Sequence, residues 1–180
     1  MITIRHERPV DECAREALLD VAYGAERHLK PSCRLRNGRK RALSLVAVEK
    51  GRIVGTVRLW HVTAGRPALL LGPLAVHPDT QKRGIGAALM QRALDEATHR
   101  GHAAVLLVGD AAYYGRFGFD AGKTQALRLS GADPARLLAI ELKPGALTGA
   151  HGTIAASGER VLSSLTGLTK ARAQLIPRAA

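Results

Sequence analysis

The chain has 180 residues, 46% of them hydrophobic, and 27 Lys plus Arg against 15 Asp plus Glu give it a formal charge of +12 at pH 7. That is one domain's worth of chain with enough apolar residues for a core, which excludes the disordered and collagen-like classes despite 19 glycines. Aromatic residues make up only 3%, too few for a base-stacking platform, so the charge permits nucleic acid without arguing for it.

Cys13 and Cys33 stand far apart in a chain without an apolar leader, which predicts a reduced, cytoplasmic protein with no disulfide framework. No apolar run reaches the length that spans a bilayer, so no membrane partner is expected. The seven histidines are scattered. His99 and His102 lack the carboxylate and the second helical turn of a zinc helix, so no metal site is expected.

In chain order, residues 2–5 read as a short strand and residues 10–25 as a helix, with Cys13, Ala17, Leu18, Val21 and Ala22 as its apolar face. Residues 30–41 hold six basic residues (Lys30, Arg34, Arg36, Arg39, Lys40 and Arg41) and no acid, broken by Pro31 and Gly38, and read as a basic loop or short helix. Residues 42–48 and 53–60 form a hairpin pattern, and a third run, residues 68–76, completes an antiparallel meander. After Pro78 the period changes to that of a helix over residues 84–100, stopped by Gly101. Residues 103–108 are continuously apolar, as in a strand buried on both faces of a parallel pair. Strand, helix and strand make a βαβ unit on the end of the meander. A short helix over residues 111–116 and strands over 126–129 and 137–142 follow. Val161, Leu162, Leu165 and Leu168 suggest a terminal helix that Gly167 interrupts.

The chemistry gathers where the strand ending at Val76 gives way to the glycine-bearing turn Gln81-Lys82-Arg83-Gly84-Ile85-Gly86. The first N–H groups of a helix lack intrahelical partners and sit at the positive end of its dipole, which makes such a junction an anion site. A dinucleotide fingerprint requires glycine at 89, where Leu89 stands, and no Lys-Ser/Thr pair follows as in a P-loop. Alone, the Gly-x-Gly also fits a plain turn.

This hexapeptide resembles the Q/R-x-x-G-x-G/A signature of the GNAT superfamily of acyl-CoA-dependent N-acetyltransferases. Tyr113-Tyr114-Gly115-Arg116-Phe117-Gly118-Phe119 is similar to the aromatic segment that follows the fifth strand in that family. Val108-Gly109-Asp110 before the paired tyrosines is similar to a bacterial subgroup of it. The resemblance implies an α/β (α+β) fold: a mixed central sheet, an antiparallel meander followed by a βαβ unit, and helices on both faces. It implies a GNAT domain over residues 1–145, with residues 146–180 as a C-terminal extension packing on or continuing it. The cofactor implied is acetyl-CoA as co-substrate, held by Leu74, Ala75 and Val76 at the pantetheine arm and the thioester carbonyl. Gln81, Lys82, Arg83, Gly84, Ile85, Gly86 and Ala87 would hold the pyrophosphate. Tyr114 matches the family's general acid, whereas Tyr113, Phe117 and Phe119 read as packing residues.

A tyrosine near pKa 10 lies about 1.5 units above a thiol near 8.5, a gap of about 2 kcal/mol for proton transfer. The base is harder to assign, because the strand over residues 68–76 carries no acid where many relatives place a carboxylate. Asp110, Glu49 through water, and His77 remain, each also readable as a solvated or capping group. An acceptor of low pKa, such as an α-amine near 7.7 to 8.0, needs less base than a lysine side chain.

The reading is thus an N-acetyltransferase moving acetyl from acetyl-CoA to a primary amine of a small molecule or peptide, by direct attack in a ternary complex. The alternative is a non-catalytic acyl-CoA-binding or interaction module. Self-association into a homodimer stays open. The basic residues 30–41 border the region where an acceptor enters in this fold class, and there they either face an acidic acceptor or are a solvated surface.

Overall fold

A computed structural model describes residues 1–161, so the terminal helix expected around Leu162, Leu165 and Leu168 lies outside the described residues. The chain opens with β1 (Ile2–His6), a 3₁₀ turn at Pro9–Asp11, and α1 (Glu12–Tyr23). A 3₁₀ segment, Ala25–Leu29, and the single-turn helix α2 (Cys33–Arg36) carry the basic region. The meander is β2 (Arg41–Glu49), β3 (Arg52–Thr63) and β4 (Pro67–Val76). It leads into α3 (Ile85–His99), β5 (Ala104–Val108) and the single turn α4 (Ala111–Tyr114). Short strands β6 (Leu127–Arg128), β7 (Leu137–Glu141), β8 (Gly152–Thr153) and β9 (Ala155–Ala156) complete it.

The main sheet runs β1-β2-β3-β4-β5-β7, with β9 added to the end of β3. Every pairing in it is antiparallel except β4 with β5, which is the mixed sheet expected. Period-2 alternation sorts the strands into two apolar faces. Leu45, Leu59, Leu71, Val105 and Leu138 face Leu89, Met90 and Ala93 of α3. Val62, Leu70, Leu106 and Ala139 face the other way and are covered by Leu129, Leu147, Ala150 and Ile154. The segment after residue 145 therefore fills part of the core.

α1 packs on β3 and β4, but not through the face its apolar spacing suggests. Cys13, Ala17 and Val21 are exposed, while Arg15, Leu18 and Leu19 are buried. The cause is a carboxylate beneath the helix. Glu7 has no exposed side-chain surface, and Arg58 grips it through two bonds of 2.6 and 3.0 Å. Arg15, only 1% exposed, donates Nε to the same carboxylate at 3.2 Å, and the Ser44 hydroxyl donates to it as well. Glu12 and Glu16 add ion pairs to Arg15, whose Nη2 is nonetheless buried without a hydrogen-bond partner, and this polar pairing, rather than apolar spacing, sets the rotation of α1. Nearby, Asp11 takes a bidentate Arg5 at 2.6 and 3.0 Å and the backbone N–H of Arg8 at 2.7 Å.

Burial would push the Glu7 carboxyl up, but the hydrogen bonds from Arg58 and Ser44 outweigh it and hold it below the ordinary range. Hydrogen bonds from Arg5 hold Asp11 well below that range. Both carboxyls titrate lower in the folded than in the unfolded chain, so the stability they contribute is complete above about pH 5 and is lost as pH falls below that. Glu7→Ala leaves two buried guanidiniums without their shared partner, and urea unfolding at pH 7 is expected to show a loss of about 3–5 kcal/mol. A loss below about 1 kcal/mol would mean that Glu7 does not hold α1 to the sheet.

Candidate active site

The parallel pairing of β4 with β5 is brief: Leu69 lies opposite Val105 and Leu70 opposite Leu106, and there it ends. On its other side β4 loses register with β3, where Leu71, Gly72, Pro73 and Leu74 span the stretch that Val57, Arg58 and Leu59 span on β3. Two residues oppose one, which is a β-bulge. Pro73 has no N–H for the ladder, and Gly72 sits at φ 142°, in the region that favours glycine. Trp60 Nε1 donates to the Gly72 carbonyl at 2.7 Å and fixes the bulge in place. The strand expected over residues 68–76 is present as Pro67–Val76, with this bulge inside it. Beyond the bulge β4 diverges from β5, and the backbone of Leu74 and Val76 faces an open cleft, since His77 N bonds Val54 O on the β3 side and the ladder alternates.

Two cavities meet at this cleft, and Leu74 and Tyr114 line both. The first, about 600 Å³, lies between Val76, the start of α3 and the turn around Asp110. Gln81, Lys82, Gly84, Ile85, Gly86 and Ala87 line it. Among the described residues, the amides of Lys82 through Ala87 donate to no backbone carbonyl, so a row of N–H groups stands at the positive end of a 15-residue helix. Gly84 makes the helix entry in the left-handed region, φ 75°. This cradle fits a pyrophosphate.

Arg83 is expected in the cradle and contributes its backbone amide to the row, but its side chain turns away from the cavity. It forks onto Glu49 at 2.6 and 2.9 Å across the end of β2. That pair also engages one of the three base candidates. His77 accepts from the Asp79 amide at 3.3 Å and borders a separate cavity near Asp11. Asp110 lines the first cavity but caps α4 by accepting the Ala112 amide at 2.9 Å. Ala75 is buried, pairs with Thr56 on the β3 side, and is not among the residues lining either cavity.

Tyr114 stands at the junction. Its ring lies on the backbone of Gly109, where an added Cβ would sit 2.1 Å from Cε2. Tyr113 packs edge-on against it, ring centres 4.9 Å apart, and Arg116 stacks over Tyr113 at 4.2 Å. Phe119 lies in the core and Phe117 packs against it. Burial, with smaller effects from Tyr23 and Tyr113, pushes the Tyr114 phenol up to about 12. Sequence reasoning missed Tyr23, the last residue of α1, whose hydroxyl donates to the Leu74 carbonyl. The second cavity, about 570 Å³, opens on the far side of Tyr114 and is walled by α1, the basic region, Trp60 and the β4 bulge.

A cleft between two diverging parallel strands, with a helix N-terminus at one end and a buried phenol at its centre, is the architecture of an acyl-CoA-dependent transferase. Residues 11–119 match the model of the acetyltransferase (GNAT) family, and the chain belongs to that family. Membership makes it an acetyltransferase. It is 33% identical over 129 residues to the uncharacterized N-acetyltransferase YhbS of Escherichia coli (strain K12), covering 69% of this chain and 77% of that protein. The crystal structure of E. coli YhbS in complex with CoA superposes with a TM-score of 0.75 at 30% identity, over 86% of this chain and 89% of that one. A GNAT family acetyltransferase from Brucella melitensis in complex with acetyl-CoA gives a TM-score of 0.65 at 28% identity, over 80% and 90%.

The Gly109 contact yields a test of Tyr114's placement. Gly109→Ala is expected to push the ring out of the junction and lower turnover about 100-fold while CoA affinity, read by calorimetry, stays within threefold. Unchanged turnover would show that the ring position is immaterial.

Proposed function

We propose that the chain transfers acetyl from acetyl-CoA to a primary amine of a small molecule or peptide, by direct attack within a ternary complex. The observation that carries this is the meeting of the two cavities at Leu74 and Tyr114: a donor entering by one reaches an acceptor entering by the other without a covalent relay. In this reading the amides of residues 82–87 and Lys82 hold the pyrophosphate. The pantetheine arm runs along Leu74 to Val76, and a backbone N–H on the open side of β4 receives the thioester oxygen.

The acceptor nitrogen forms the new C–N bond as the C–S bond breaks, and the proton it sheds balances the one the departing thiolate gains. Tyr114 Oη donates to that thiolate. At about 12 the phenol lies about 3.5 units above a free thiol, so complete transfer from it is uphill by about 5 kcal/mol. The gap exceeds the 2 kcal/mol expected from ordinary values, and the burial that widens it also keeps the donor fully protonated. Among the described residues no unengaged carboxylate stands at the junction, which favours an acceptor that ionises near neutrality over a lysine side chain. The free thiols of Cys13 and Cys33 support a reducing, cytoplasmic setting, and no described helix is long and apolar enough to cross a membrane.

Tyr114→Phe is expected to slow thiol release by about 10²–10⁴ with acetyl-CoA affinity unchanged. Full turnover in that variant removes Tyr114 as the acid, and absence of thiol release from wild type with every amine tried favours the binding-module alternative. The pH dependence has a definite sign. An acid is active when protonated, so Tyr114 imposes no falling limb below about pH 10. kcat/KM rises with pH through the pKa of the acceptor amine and then levels, whereas a flat profile from pH 6 to 9 contradicts an acceptor that titrates there.

A further inference from the structure

We propose that the acceptor carries an anionic oxygen group, a carboxylate or a phosphate monoester, and that Arg36 receives it in the second cavity. This deepens the transferase reading and rests on it for the word acceptor, though the anion site itself is a binding property.

The cavity wall holds two kinds of cation. Arg15, Arg27 and Arg58 are already matched: Arg15 and Arg58 to Glu7, Arg27 to Asp20 at 2.7 Å and to Glu16. The basic region differs. Lys30, Arg36 and Arg39 line the cavity and form no ion pair with any described carboxylate, and the sequence holds no Asp or Glu after Glu159. Lys30 rests its ammonium over the Tyr23 ring at 4.1 Å, and Arg39 donates to the Gly158 carbonyl at 2.7 Å.

Of these three, Arg36 is the cation that reaches the β4 bulge beside Leu74. One edge of its guanidinium is fixed, with Nε on the Ser32 carbonyl at 3.2 Å and Nη2 on the Ser32 hydroxyl at 3.3 Å. The other end reaches the β4 bulge, with Nη1 3.8 Å from where a Cβ on Gly72 would stand. Nη1 donates to no described residue. Its charge is felt at Tyr23, where it lowers a phenol that burial raises, and Tyr23 in turn bonds the Leu74 carbonyl beside the cleft. A guanidinium held by one edge and free at the other loses little rotamer entropy when an oxyanion binds. A solvated surface arginine needs neither the Ser32 tether nor a place at the bulge. The cavity floor, with Trp60, Leu70, Leu71 and Leu107, takes the rest of an amine-bearing molecule.

Trp60, the single tryptophan, lines this cavity and serves as the probe. CoA-loaded protein is titrated with matched pairs, α-amino acids against their carboxamides and phosphoethanolamine against ethanolamine, while tryptophan emission is followed. In at least one pair the anionic member is expected to bind at least tenfold more tightly, and which pair responds separates carboxylate from phosphate. Arg36→Gln is expected to erase the preference and Arg36→Lys to restore part of it, with CoA affinity unchanged in both. Equal binding within every pair, or a preference that survives Arg36→Gln, overturns the proposal, whatever the turnover. Anion binding without thiol release from acetyl-CoA leaves the site standing and sinks the transferase reading, whereas turnover of the neutral members alone does the reverse.

Discussion

The divergence of β4 from β5 is the constraint on which the rest of this molecule depends. Two parallel strands that stayed paired to their ends would close the sheet and leave no passage between its faces. Here the ladder stops after Leu70 and Leu106, because Gly72 and Pro73 insert an extra residue against β3 and Pro73 withholds an N–H. Each neighbour of the gap then stabilises its open form. Trp60 pins the Gly72 carbonyl from below, Tyr23 takes the Leu74 carbonyl from the side, and Tyr114 lies on Gly109 across the opening. Without these partners the freed backbone groups would be buried and unsatisfied.

Tyr23 reaches the gap only because α1 has one rotation on the sheet, and Glu7 sets it. A carboxylate shared between Arg15 and Arg58 contributes little net energy compared with a well-packed apolar contact, since desolvation consumes most of the attraction. What it contributes here is register: a helix seated on Leu18 and Leu19 alone could turn by a residue, whereas Arg15 has one place where its charge is matched. One wall of the second cavity is therefore positioned by an ion network whose members Arg15 and Arg58 also line it.

How much of this could be read from the residues alone follows from the range of each interaction. Strand alternation and helix period are local, so the meander, α3, β5 and their order were legible, as was the row of unpartnered amides that a strand, a glycine turn and a helix make in one short stretch. The resemblance of two motifs in sequence order placed Tyr114 beside it. Partners distant along the chain were not legible. Arg83 reads as a phosphate ligand until Glu49, brought beside it by the β2–β3 hairpin, takes it. Arg15 reads as a solvent-facing break in an apolar face until Glu7 is found beneath it. Gly72-Pro73 was the one local signal passed over, because proline inside a strand marks a bulge or an edge.

The two ends of the cleft answer the same electrostatic question differently. At the α3 end, which the proposed reading gives to the donor, a row of backbone amides stands with Lys82 and Arg116, while Arg83 is paired with Glu49. In the second cavity Lys30, Arg36 and Arg39 stand without a carboxylate partner among the described residues, an arrangement that, on the proposed reading, repels an ammonium and favours the neutral, nucleophilic amine. A guanidinium facing that nitrogen disfavours its protonation, because like charges in a partly desolvated cavity repel. If the acceptor bears an anion, pairing it with Arg36 also removes the negative field that would otherwise hold its own amine protonated. On the proposed reading, part of the work of a general base is then done before chemistry begins, by charges that never touch the proton, in a site whose fourth strand has no carboxylate.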